Sequence, residues 1–353
     1  MKRRSQLAVN IAGIGDLILA SKSLRALKRS HPEMKLWLLT SSEAAMLAEH
    51  FPYIDRVVPF PIRESRRDRR HLWRMWQIVR ELRRIDFRYC TNLYLVGSRL
   101  GALKMGLLFS LLRSDLKAGH AAFGFGWFLT HKAHSETFSR QHYVDAMCDI
   151  AALTGATPDD QGLDVFWDRA CESQWAPFFD EQKGLLIGVN PGGDRANRRW
   201  DPAGFAETAG NLLNAYRAKI LLLGSPAETT IAGDIERRLG SELVVNLSGR
   251  MNLHELCYII SRLDLLLTND SGPMHIAAAT GTPVVGIFGP ENPAHLRPYA
   301  EEDRYRAVYR DVPCRPCLKS SCKNPICLAS ITPVEVFQAC TELIQATKKK
   351  SSS

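Results

Sequence analysis

The 353-residue chain predicts an α/β protein built as two doubly wound halves, on three observations. Short apolar runs alternate with segments of helical period in both halves. Several of those runs end in polar turns bearing Gly, Asp or Ser that open the next helix. Between Gly155 and Lys183 the alternation loosens, with Pro158, Pro177 and several acids, which marks a boundary. The pattern places a first domain at 1–170, a second at 171–332, a C-terminal helix at 333–347 and a solvated tail at 348–353. The length has room for two cores of ordinary size.

The first half opens with a strand at 6–11 and a Gly-containing turn. A helix follows from Leu17, with Leu24 and Leu27 on its apolar stripe. A strand at 34–40 precedes a Ser-capped helix at 41–51, and a third strand covers 55–60. The Arg-rich stretch 62–84 carries Leu72, Met75, Trp76, Val79 and Leu82 at helical spacing, so most of it reads as an amphipathic helix. A strand at 91–96 and helices at 100–112 and 142–155 complete this half. In the second half, strands are expected at 185–190, 219–223 and 243–247, with helices at 202–216, 227–239 and 252–261.

The stretch from Leu263 to Pro290 is the most informative. LDLLL suits a buried strand, TNDSG a turn, PMHIAAAT a helix with Pro273 in its first turn, and PVVGIF a second strand. Ser271 or Asp270 can cap that helix, and Gly281 ends it. Asp270, Ser271, Gly272 and His275 therefore share one rim at the C-terminal edge of a parallel sheet. Amides, helix dipole and imidazole suit a diphosphate there, and the carboxylate suits sugar or ribose hydroxyls.

Other turns share that edge. Asp16 follows Gly13-Ile14-Gly15 at a helix start, either as a capping residue or as a general base. The turn lacks the third glycine of a dinucleotide fingerprint. Gly192 and Gly193 let backbone approach an anion, and Arg195 and Arg198 supply charge. Glu228, in LLLGSPAE, can bind ribose hydroxyls.

Net charge of +9, with a pI near 9.1, points to an anionic partner. A mean hydropathy of −0.16 and the lack of a long apolar run describe a soluble chain. The N-terminus reads as strand and turn and not as a signal peptide, so the expected location is the cytoplasm. Nine cysteines are too few for a disulfide scaffold. Cys314, Cys317, Cys322 and Cys327 could ligate a structural metal, or stay as free or loosely paired thiols with Lys319 and Lys323 lowering their pKa. The segment 63–84 holds nine arginines against three acids. It is a solvated face, or a contact for a phosphorylated glycolipid or the anionic cytoplasmic leaflet through Trp73 or Trp76. No nucleic-acid recognition motif accompanies it.

Taken together, GIGDLILASKSLRALKRSHP, NPGGDRANRRW, LLGSPAE, TNDSGPMHIAAATGTPVVGIFGP and PCRPCLKSSCKNPICLASITPVEV resemble glycosyltransferase family nine. Within it, the ADP-heptose:lipopolysaccharide heptosyltransferases of the second-heptose type are the most similar. The resemblance implies a GT-B fold of two Rossmann-like domains facing across a cleft, the first binding acceptor and the second the nucleotide-sugar. The C-terminal helix is expected to pack back toward the first domain. It implies inverting transfer from ADP-heptose to the lipopolysaccharide inner core, with no cofactor and no required metal, peripheral on the inner face of the cytoplasmic membrane. Carried over by position, Asp16 is the base, and Asp270, Ser271, Gly272 and His275 hold the donor. Arg198 stands where a lysine is usual, and Ser271 where Thr is frequent. Gly15, Arg63, Arg66 and Arg67 are weaker candidates for acceptor or phosphate contact. A different donor or surface-glycan acceptor, a non-catalytic sugar-nucleotide-binding protein and a nucleotide-sugar epimerase are the rival readings.

Overall fold

The computed structural model describes residues 4–66, 68–133, 141–180, 184–317 and 322–351. The chain divides into two compact units, Met1–Phe166 and Trp167–Ser353.

In the first unit six parallel strands run in the order β3-β2-β1-β4-β5-β6. They are β1 Ser5–Asn10, β2 Lys35–Ser41, β3 Arg56–Phe60, β4 Asp86–Asn92, β5 Arg113–His120 and β6 His131–Ala133. In the second unit the order is β12-β11-β10-β7-β8-β9. These strands are β7 Leu186–Asn190, β8 Lys219–Leu222, β9 Val244–Asn246, β10 Leu265–Asn269, β11 Val284–Phe288 and β12 Tyr305–Tyr309. Each sheet thus reverses direction once, between β1 and β4 and between β7 and β10. At such a switch point the flanking turns diverge and leave room for a ligand at the strands' C-terminal ends. The turns after β1, β7 and β10 carry most of the candidate residues, and Glu228 follows β8.

Helices on both faces explain why β7, β10 and β11 are apolar throughout: all five residues of each are buried. Close packing has visible sequence causes. A Cβ on Gly286 of β11 would stand 2.7 Å from Met274 Sδ, so glycine there lets the helix Gly272–Thr280 sit down on the sheet. That helix stops at Gly281, whose φ of +75° is the left-handed cap glycine favours.

Several expectations need correction. The strand expected at 91–96 is β4, ending at Asn92; Leu93 and Val96 are buried beyond it in the turn. Strands β5, β6 and β12 and the helix Ala170–Asp180 were not expected. The helix Arg70–Leu82 turns Met75, Ile78, Val79 and Leu82 inward and leaves Leu72 and Trp76 exposed. The last helix, Pro333–Ser351, runs through most of the supposed tail. Its Val336, Cys340, Leu343 and Ile344 join the core of the second unit.

Candidate functional site

Asn269, fully buried at the end of β10, organises the second unit's rim. Its amide donates to the carbonyls of Pro191 (2.8 Å) and Gly192 (2.9 Å), and its Oδ1 accepts from the Trp200 amide at 3.0 Å. One side chain therefore pins both ends of the loop that follows β7. Trp200 anchors that loop from below: its ring is buried and its Nε1 donates to the Ile331 carbonyl at 3.2 Å.

Glu228 supports the loop from the other side. It is buried, with Oε1 accepting from the Gly193 amide (2.5 Å) and Oε2 from the Ser225 amide (2.7 Å). Both carboxylate oxygens thus bind backbone from two βα turns. A Cβ on Gly192 would fall 1.9 Å from Glu228 Oε1, so only glycine admits this carboxylate. Gly193 has φ of +143°, also in glycine's territory.

The turn after β10 differs from the expected capping arrangement. Ser271 occupies the N-cap position of the helix Gly272–Thr280, but its hydroxyl donates to the Asn269 carbonyl at 3.1 Å and meets Thr268 Oγ1 at 3.2 Å. The Ser271 side chain makes no cap bond to this helix. A helix start presents backbone N–H groups and the positive end of a dipole, which suit an anion. Asp270 and His275 beside it are buried. Arg198 bridges two acids, pairing with Glu291 and lying 3.2 Å from Asp270 Oδ2. Arg195 reaches Glu291 at 3.8 Å. The structure brings together Gly192, Gly193, Glu228, Arg195, Arg198, Asp270, Ser271, Gly272 and His275, all named from the sequence. Asn269 and Glu291 were missed. Asn269 lies inside the TNDSG turn and Glu291 directly after the Leu263–Pro290 stretch, beyond β11, but nothing in residue type says where either side chain points.

In the first unit, Asp16 is the third residue of the helix Ile14–Ser30. Its Oδ2 accepts from the Gly13 backbone amide at 3.3 Å, and its backbone carbonyl accepts from Asn10 Nδ2 at 3.0 Å. Asp16 is half-buried, so the carboxylate both fixes the turn and keeps solvent access. Beside it, Tyr143 is buried with its phenol pushed well up, first by burial and then by the Asp16 charge. Gly15 belongs to the same turn. Arg63 is exposed, pairs with Glu43 at 2.7 Å, and lies 3.3 Å from where a Gly13 Cβ would stand. Arg66 lies in the short helical turn Glu64–Arg66, while Arg67 falls outside the described residues.

Cys314, Cys317, Cys322 and Cys327 line one small cavity with Arg315, and all four are free thiols. Among the described residues no three His, Cys, Asp or Glu side chains are grouped to hold a metal ion. Burial pushes the Cys327 thiol up. Lys323 is exposed, and Lys319 lies outside the described residues. No helix among the described residues is long and apolar enough to cross a membrane.

Comparison with known proteins gives these observations a context. Residues 88–327 match the family model glycosyltransferase family 9 (heptosyltransferase). The lipopolysaccharide core heptosyltransferase OpsX of Haemophilus influenzae is 24% identical over 325 residues, covering 87% of this chain and 85% of that one. A glycosyl transferase family 9 structure from Veillonella parvula superposes with a TM-score of 0.80 at 20% identity, covering 98% of both chains. E. coli ADP-heptose lps heptosyltransferase II gives 0.72 at 20% identity, over 98% of this chain and 99% of that one. Both fold matches extend over the two units and agree with the GT-B class.

Proposed function

The chain belongs to glycosyltransferase family 9, and on that premise we propose that it moves a heptose from ADP-heptose to the inner core of lipopolysaccharide, with inversion at the anomeric carbon. The observation that carries the reading is the helix start at Gly272, whose N-cap Ser271 turns its hydroxyl aside, with Arg198 and His275 beside it. The donor diphosphate binds at this helix start, Asp270 takes sugar or ribose hydroxyls, and Glu228 holds the loop at Gly193. As the bond between the anomeric carbon and the diphosphate breaks, negative charge grows on the departing ADP. Arg198, Arg195, His275 and the helix dipole stabilise it. Asp16, from the first unit, accepts the proton of the acceptor hydroxyl as that oxygen attacks the anomeric carbon. The acceptor is a glycolipid, so the enzyme works peripherally at the anionic cytoplasmic face of the membrane, with the basic segment 63–84 toward the lipid.

The test is incubation with ADP-heptose and heptose-deficient lipopolysaccharide, following ADP release and acceptor mass, alongside Asp16→Asn. Acceptor-dependent ADP release with a gain of one heptose, lost by about 10²–10⁴-fold in the variant, is expected. Full transfer by Asp16→Asn would remove Asp16 as the base. Donor binding without transfer to any acceptor would move the assignment to another glycan or to a binding protein. Donor turnover without acceptor would make it an epimerase.

A further inference from the structure

Eight of the thirteen large apolar side chains that stand exposed among the described residues lie between 72 and 127, in the first unit. The helix Arg99–Leu111 accounts for three of them. Its inner side, Ala102, Met105, Leu108 and Phe109, is buried in the core of that unit. Its outer side presents Leu100, Leu103 and Leu107, exposed at 63%, 61% and 63%. The helix carries apolar side chains on both its inner and its outer side, and its own unit covers only the inner one. Trp127 extends the outer face. It lies against Gly106, where a Cβ would come within 2.3 Å of its ring, yet it is 60% exposed. The neighbouring helix Arg70–Leu82 packs into the same core and adds Trp73 and Trp76, stacked outside with ring centroids 4.9 Å apart.

Charge identifies what this face meets. Residues 69–113 contain ten Arg and Lys against two acids, almost the whole of the chain's net +9. The helix Arg99–Leu111 itself contains Arg99 and Lys104 and no acid. A second copy presenting the same surface would oppose like charges across the contact. Leucine and tryptophan set among arginines instead match a bilayer interface with anionic headgroups.

We infer that the outer face of the helix Arg99–Leu111, with Trp127, is a membrane seat that inserts Leu100, Leu103 and Leu107 among the acyl chains of an anionic bilayer, flanked by the Trp73–Trp76 pair at headgroup level. This deepens the membrane part of the proposed function by naming the contact. It needs no assumption about the transferred sugar.

The full chain is floated on sucrose gradients with vesicles of phosphatidylcholine alone and of phosphatidylcholine with phosphatidylglycerol. Leu103→Glu/Leu107→Glu is compared with the parent; both side chains are exposed, so the fold is retained, as a circular-dichroism melt checks. Binding to the anionic vesicles, weakened at least about tenfold by the double substitution, is expected. Brominated acyl chains should quench tryptophan fluorescence of the unaltered protein, a readout that needs no variant. Transfer to a deacylated, water-soluble core acceptor is scored separately and should be unchanged by the substitution. Failure of that transfer in the parent would overturn the reaction and leave the seat standing. The inference is overturned by an absence of vesicle binding, by equal binding of variant and parent, or by an absence of bromine quenching. It is also overturned if light scattering finds a dimer that the substitution makes monomeric.

Discussion

Replacing Asn269 tests how the second unit's rim is built. Its side chain makes three hydrogen bonds, two to carbonyls of the loop after β7 and one from the Trp200 amide, and it is fully buried. Asn269→Ala leaves all three backbone partners without it. At about 1 kcal/mol for each bond, the loss is about 3 kcal/mol. For a unit of this size that corresponds to about 6–12 °C in Tm. Asn269→Asp sharpens the test. It keeps the shape and the acceptor for Trp200, but sets a carboxylate against the Pro191 and Gly192 carbonyls. A buried charge facing two acceptors costs more than a cavity, so Asp should be less stable than Ala despite its closer size. Calorimetric melting reports stability, and titration with ADP reports the loop, which should bind at least about tenfold more weakly in both variants, since 1.4 kcal/mol of lost organisation suffices. Melting of Asn269→Asp like the parent, or a shift below about 2 °C for Ala, would refute this account of the loop.

Three other outcomes follow from the same geometry. Gly192→Ala drives a methyl into the Glu228 carboxylate, 1.9 Å from Oε1, and should reduce ADP affinity about tenfold; Glu228→Ala added to it should recover part of the loss in calorimetric titration. Arg198→Lys keeps the charge but loses the fork that joins Glu291 and Asp270, so ADP binding should weaken about tenfold at unchanged melting temperature. In the first unit the Arg25 guanidinium holds the Asp159 carboxyl at about 2. The folded value is below the unfolded one, so this stability is complete above about pH 4 and is lost as pH falls toward about 2. Asp159→Asn should flatten that acid limb by about 1 kcal/mol after allowance for solvent screening, as measured by urea melts across the range.

The elements legible in the sequence are those whose burial is two-sided. β7, β10 and β11 are short unbroken apolar runs because helices cover both faces, and no other local structure explains such runs as well. β5, RSDLKAGH, mixes charges with two apolar side chains and is buried only at its end; β6 has three residues. Their places are fixed by pairing with neighbours, which periodicity does not record. β4 was displaced because Leu93 and Val96 are buried in the turn beyond it, giving the turn a more apolar sequence than the strand. The helix Arg70–Leu82 misled for the opposite reason. Met75, Val79 and Leu82 of the expected stripe do face inward, but Leu72 and Trp76, apolar and at the same spacing, face outward, and periodicity alone does not separate them. At the site, the turns could be read from Gly, Asp and Ser; the choice of Ser271 to bond the Asn269 carbonyl in place of capping could not.

That choice bears on how an anion site can stay ordered before its ligand arrives. Free amides and arginines gathered at one rim repel one another, and a helix start adds to the positive field. Here acids offset that field. Glu291 pairs with Arg198 and lies within reach of Arg195, Asp270 takes the other side of Arg198, and Glu228 ties down two loop amides. On the proposed reading these acids divide into two kinds. Glu228 is committed to backbone at both oxygens, so it holds the loop whether or not donor is bound. Glu291 is a partner of the very arginines that a diphosphate would engage. Donor binding then exchanges one anion for another around Arg198 with the cation already in place, and little side-chain ordering remains to be done when charge develops on the leaving group.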